Sequence, residues 1–146
     1  MKKLYVVIPV LHWFVGIGAL AGGLAAVLNP ESPMGISKNS LKLGPFTNFL
    51  IPGLFLMIVI GLLNIIEGFL VMKKVTYHEV ISGGLGAVLI GWIVIQCIFL
   101  WTINLLHVIY FILGSIQGIL ALVLIYKNYA FPMNIVESIL RNKGKI

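Results

Sequence analysis

The sequence predicts an all-α integral membrane protein: a four-helix bundle with both termini in the cytoplasm and a short amphipathic helix at the C-terminal end. Three observations predict it. Charged residues are absent between Lys3 and Glu31, between Lys42 and Glu67, and again from Val80 through Tyr126. Hydrophobic residues make up 60% of the 146, charged residues only 10%, and the mean hydropathy is +1.11, far from the balance of a water-soluble chain. The cations sit at the ends of the apolar runs, as topology determinants do.

The first run, residues 4–28, is long enough to cross the ~30 Å hydrocarbon layer with some tilt. It follows Lys2 and Lys3 as a secretory signal would, and Ala19-Leu20-Ala21 offers a small-x-small cleavage pattern. The uncleaved helix is the favoured reading, because the apolar run continues past that site and His12 and Trp13 interrupt the would-be signal core. Residues 29–49 form an outer loop. Asn29-Pro30 and Ser32-Pro33 stop the helix, since proline lacks a backbone donor and disfavours the α region before it. Leu41, Leu43, Phe46 and Phe49 then mark a segment lying on the interface.

The second span covers about residues 50–72, with Pro52 near its start, where a lost donor costs least, and Lys73-Lys74 at its end. The charge-free stretch that begins at Val80 would be about 70 Å long as one helix, more than twice the hydrocarbon thickness. It must therefore fold back. Trp101-Thr102-Ile103-Asn104 is the polar, aromatic interruption near its middle, which gives spans of about 80–100 and 105–126 as a close hairpin with Trp101 at headgroup level. Lys2, Lys3, Lys73, Lys74, Lys127, Arg141, Lys143 and Lys145 then fall on one side and Lys38 and Lys42 on the other, so the positive-inside rule puts both ends in the cytoplasm. In the tail, residues 127–146, Asn134 and Glu137 have capping-box spacing, and Ile135, Val136, Ile139 and Leu140 recur at helical intervals. The whole chain, 1–146, is one membrane domain.

Several function classes fall away. The net charge of +6 is spread over helix ends with no basic face or stacking platform, which excludes nucleic acid as a partner and leaves the lipid bilayer, another membrane protein or a second copy of the chain. Cys97 is the only cysteine, so no disulfide, CxxC pair or cysteine zinc site can form. Aspartate is absent, as are HExxH, Walker A and GxSxG motifs, and no catalytic residue, metal or cofactor is expected. Haem held by two histidines needs imidazoles at one depth, whereas His12 lies in the inner half, His107 near the outer end and His78 at the inner surface.

Polar side chains in hydrocarbon are expensive, and function is best sought among them. Measured at ~1.5 Å per residue from the nearest basic anchor, His12 and Asn64 lie roughly 13 Å deep, Glu67 about 9 Å and Gln117 about 15 Å. They share one layer. A cluster of His12, Asn64, Glu67 and Gln117 would serve as a proton or cation site centred on Glu67, or, more simply, Glu67 would pair with Lys74 while the amides tie helices together. Gln96 and His107 flank the hairpin turn and are expected to bond across it as structural glue; His78 is expected to be solvated in the inner loop. Small residues four apart, at Gly18 and Gly22, Ala19 and Gly23, and Gly114 and Gly118, invite close helix approach.

Two motifs carry a resemblance. Gly44-Pro45-Phe46-Thr47-Asn48-Phe49-Leu50-Ile51-Pro52-Gly53-Leu54, entering the second span, and Gly91-Trp92-Ile93-Val94-Ile95-Gln96 in the third resemble a widespread group of short, uncharacterised four-helix bacterial membrane proteins. The likeness covers most of residues 4–126 and implies a bacterial plasma-membrane setting with no known reaction; a weaker likeness, in size and helix count, is to DoxX-like proteins. The sequence thus points to a non-enzymatic accessory subunit that packs against another membrane component, with a small proton-coupled permease centred on Glu67 as the alternative. Alkaline carbonate should leave the protein in the membrane fraction, and reporter tags at the two termini should both read cytoplasmic; extraction by carbonate, or tags on opposite sides, would refute this topology.

Overall fold

The computed structural model describes residues 2–128 and 130–143, the side chains of residues 142 and 143 excepted. Of the cations counted above, the Lys143 side chain and all of Lys145 lie outside the described residues. Four helices are long and apolar enough to cross a membrane: α1 (Leu4–Leu28), α2 (Leu50–Met72), α3 (His78–Leu100) and α4 (Leu105–Asn128). A shorter helix, α5 (Met133–Lys143), follows. No strand occurs among the described residues. Because the helices alternate in direction, the start of α1 and the end of α4 lie at one end of the bundle, the terminal end. The α1–α2 connection and the α3–α4 turn lie at the other, the loop end.

The third helix begins at His78, two residues before the expected bound, and turns at Trp101, whose φ of 51° reverses the chain. This early start overturns one expectation: His78 is buried in the first turn of α3, not solvated, and Glu79 is buried beside it. Helix α2 is regular over Leu50–Phe55 and Leu63–Met72 and widens to a π-helix over Leu56–Leu62 between them. In α5 the expected capping box does not form. The Asn134 side chain accepts from the N–H of its neighbour Ile135, and Ala130 and Pro132 supply the carbonyls that start the helix.

The connection at the loop end is folded onto the bundle. It contains 3-10 turns at Pro33–Gly35 and Lys38–Ser40, and an ion pair between Glu31 and Lys38 closes it. The Lys38 ammonium holds the Glu31 carboxyl below its usual range, so the clasp persists at neutral pH and opens only as pH falls through that lowered value. Further on, the N–H groups of Lys42 and Leu43 donate to the Phe99 carbonyl at 2.7 and 3.2 Å, and the Phe46 ring meets Phe99 edge-on at 5.2 Å. Gly44 passes over that ring with φ of 113°, where a Cβ would come within 2.7 Å of the Phe99 ring carbons. The Gly-Pro-Phe segment is therefore occupied by the protein's own third helix.

Helices α1 and α2 pack along one another, as do α3 and α4, and the two pairs meet through α1 with α4 and α2 with α3. Glycine sets both close pairings. A Cβ on Gly23 would come within 2.7 Å of the Gly53 carbonyl oxygen, and one on Gly16 within 2.9 Å of the Gly61 oxygen. A Cβ on Gly86 would come within 2.8 Å of the Gly114 carbonyl oxygen, and one on Gly114 within 3.0 Å of the Gly86 oxygen. Of the small-residue pairs singled out in the sequence, Gly23 and Gly114 are used in this way; Gly118 meets Gly86 with its backbone nitrogen but has room for a Cβ of its own, and Gly18 accommodates the Tyr110 hydroxyl.

A controlled comparison follows from two glycines on one helix. Gly86→Ala should destabilise the bundle by about 1–3 kcal/mol, the usual cost of overpacking. Gly84→Ala, with nothing within 4 Å of its new methyl, should be neutral or stabilising by up to about 1 kcal/mol through helix propensity. Unfolding titrations in mixed micelles would read both; equal effects would refute the packing account.

Candidate functional site

Between the two ends lies a buried polar layer. His12 from α1, Asn64 and Glu67 from α2, and Ser82 from α3 are each 0% exposed, and Gln117 from α4 is 1% exposed. The four residues singled out in the sequence are thus brought together, and Ser82 joins them. Every long helix contributes.

The periodicity that places them is simple. Asn64 and Glu67 are one turn apart on the α-helical end of α2 and share a face. Ile8 and Val15 lie one turn to either side of His12 on α1, and they belong to two apolar layers. Ile8, Val71 and Leu124 close the terminal side of the polar layer, and Val15, Ile60, Leu89, Trp92 and Ile93 close the loop side.

The hydrogen-bond pattern fixes where protons sit. Asn64 Nδ2 donates to the Ile60 carbonyl at 2.7 Å. A carbonyl can only accept, so the amide nitrogen must face it, and Oδ1 must point away, toward His12. His12 Nδ1 lies 2.6 Å from that oxygen and must carry a proton to bond it. Gln117 Nε2 donates to the same oxygen at 2.9 Å, so its 3.1 Å approach to His12 Nδ1 is a contact between two donors sharing one acceptor.

On the other side of the imidazole, His12 Nε2 is 3.1 Å from Ser82 Oγ, which is 2.7 Å from Glu67 Oε1. One hydroxyl bridges a base and an acid. Two proton arrangements satisfy the same heavy-atom geometry. In one, Glu67 is a carboxylate accepting from Ser82, and a doubly protonated His12 donates to Ser82. In the other, Glu67 is protonated and donates to Ser82, whose own proton goes to neutral His12 Nε2. They differ only by passing one proton along Glu67, Ser82 and His12. The cluster is electrically neutral in both.

Among the described residues no lysine or arginine pairs with Glu67. Lys74, the partner expected in the simpler reading, instead holds its ammonium over the Tyr5 ring at 4.7 Å. Glu67 Oε2 and Gln117 Oε1 are buried with no hydrogen-bond partner among the described residues.

The pair near the turn behaves differently. Gln96 and His107 are not bonded to each other; both line a cavity of about 370 Å³ at the loop end. A second cavity, of about 440 Å³, opens at the terminal end beside Tyr5, Lys74, His78, Glu79 and Asn128. There Asn128 Nδ2 lies 2.8 Å from both Glu79 Oε1 and the Tyr5 hydroxyl, linking α4 to α3 and α1.

Ser82 was overlooked in the sequence because a serine in an apolar helix commonly bonds its own backbone and carries no charge to draw notice. A usable signal was present. Ser82 is the only side-chain hydrogen-bonding group that the third span offers near the depth of the other four.

No known family, characterised protein or solved structure matches this chain. The site must be read from its own chemistry.

That chemistry makes a definite prediction. Nitrogen NMR of selectively labelled His12 should show Nδ1 protonated under all conditions in which the bundle is folded, with Nε2 alone exchanging between states. A neutral ring protonated only at Nε2 would overturn the Asn64 assignment. Ser82→Ala, which leaves both its neighbours short of a partner, should cost about 1–3 kcal/mol of stability, and Ser82→Thr less.

Proposed function

We propose that the protein is a small proton-coupled permease of a bacterial plasma membrane, with Glu67 as the proton-binding group and Ser82 and His12 as its relay. The observation that carries this reading is the single hydroxyl joining a buried acid to a buried base, at 2.7 and 3.1 Å. A cluster serving only to tie helices together would be as stable, or more so, with apolar side chains in place of the acid and base. Membrane proton pathways, by contrast, are built from carboxylates and imidazoles facing a bundle interior.

The layering supports the same reading. A cavity lies at each end of the bundle, the polar layer lies between, and an apolar layer seals it on either side. With both apolar layers shut, a proton would cross only when one of them parts and then the other. Glu67 Oε2, which has no partner among the described residues, is the free end at which a proton enters or leaves. The π-helical segment Leu56–Leu62 contains Ile60 of the loop-side seal, and such segments inside α-helices frequently mark functional sites. The plasma-membrane setting and the cytoplasmic termini rest on the sequence resemblance and on the cation distribution.

The accessory-subunit reading keeps one specific observation in its favour. Gly84 and Gly91 lie on the outward face of α3, where an added Cβ would meet nothing within 4 Å, leaving a shallow lane for another helix. The Gly44-Pro45-Phe46 segment does not add to this lane, being docked on Phe99.

Glu67→Gln separates the two readings. Reconstituted in vesicles with an imposed pH gradient, the native protein should move protons, and Glu67→Gln and Ser82→Ala should each lower that flux at least tenfold. Flux unaltered by Glu67→Gln, together with a partner complex that survives native mass spectrometry, would reject the permease in favour of the accessory subunit.

A further inference from the structure

We propose that the loop-end cavity is a binding site for a single-chain apolar molecule of roughly fifteen carbon atoms that ends in a carbonyl-type hydrogen-bond acceptor. The size follows from its volume of about 370 Å³, at the ratio set by apolar cavities of ~150 Å³ that hold a six-carbon ring. The wall is mainly hydrocarbon and backbone, with Ala19, Gly22, Leu56 and Ile93 among its residues. Such a lining selects an apolar body.

The polar end is selected by two side chains. The Asn104 backbone N–H donates to His107 Nδ1 at 3.3 Å, so on the neutral ring the remaining proton sits on Nε2, which makes that atom a donor. Neither His107 Nε2 nor the Gln96 amide has a hydrogen-bond partner among the described residues, although His107 is only 7% exposed and both line the cavity. An N–H that faces the cavity and has no acceptor among the described residues is free to donate to an occupant. A carbonyl oxygen in the cavity would satisfy it, and the Gln96 amide can supply a second donor to the same oxygen.

Access is shaped as well. Pro33, Met34 and Ile36 of the loop roof the cavity, and Met34 is held at φ 49° with its flexible side chain 70% exposed at the mouth. Across from it, the absence of a side chain at Gly18 lets the Tyr110 hydroxyl lie against α1, which sets the width between α1 and α4. One chain fits beneath this roof.

The test uses the full-length protein in phosphatidylcholine vesicles with a diazirine-bearing methyl tetradecanoate as photoprobe. Labelling is read without a pH gradient, so its outcome does not depend on the proton relay. Adducts should appear at Ala19, Gly22 or Leu56, saturate with probe, and fall at least tenfold under excess unlabelled ester. Gly22→Leu fills the cavity, since its first added carbon meets Leu56 no closer than 3.4 Å, and should abolish these adducts while sparing those at the outward-facing Ile17 and Ile58. Gln96→Leu and His107→Leu should each weaken the ester up to about tenfold, the worth of one hydrogen bond, and leave a diazirine alkane of equal length unaffected. Adducts confined to outward-facing positions and rising linearly with probe, or cavity adducts that excess ester does not displace, would overturn the proposal. The displacement arm decides on the native protein alone should Gly22→Leu fail to fold.

Discussion

One carboxamide governs the interior of this bundle. In hydrocarbon no polar group can fall back on solvent, and each must find its partner within the fold or remain a cost. Asn64 spends its nitrogen on the carbonyl of Ile60 and is thereby left with only its oxygen to offer the neighbouring helices. From that orientation follow the proton on His12 Nδ1, the role of Gln117 as donor, and the need for His12 to deal with Ser82 through Nε2 alone. A rotation of that amide would reverse the first two of those assignments.

The cluster can exist only because the helices approach closely. Gly16, Gly23, Gly53 and Gly61 bring α1 against α2, and Gly86 and Gly114 bring α3 against α4, at separations a methyl group would forbid. Short side chains such as Ser82 then reach across to another helix, which they could not do between helices spaced by leucine. The packing of the backbones and the chemistry of the layer are in this sense one requirement. Glycines outside these contacts, at Gly84 and Gly91, face open space, so composition alone does not reveal which of them bear on the core.

Much of the fold could be read from residue order because long apolar helices follow coarse rules. Charge-free gaps and flanking lysines define four helices, and Trp101 to Asn104 marks the reversal. The shared depth of His12, Asn64, Glu67 and Gln117 was also legible, since axial rise is regular along a helix. What escaped was lateral: which side chain meets which depends on helix rotation and spacing, and these come from the whole of the packing. Hence Lys74 was matched to Glu67 when it covers Tyr5, Ser82 was passed over, and Gln96 was expected to reach His107 when both face a common cavity. The π-helical turn in α2 left no trace in the apolar pattern at all.

Glu67, Ser82 and His12 stand on three different helices within one layer, so the string of atoms between them runs mainly sideways across the bundle. A transmembrane voltage acts along the other direction, at about 2.3 kcal/mol per charge for every 100 mV crossed. Handing a proton from carboxyl to imidazole along this string would therefore traverse only a small part of that field. Most of any voltage sensitivity would then arise at the apolar barriers above and below, and the exchange between acid and base would respond only weakly to whether a membrane is energised.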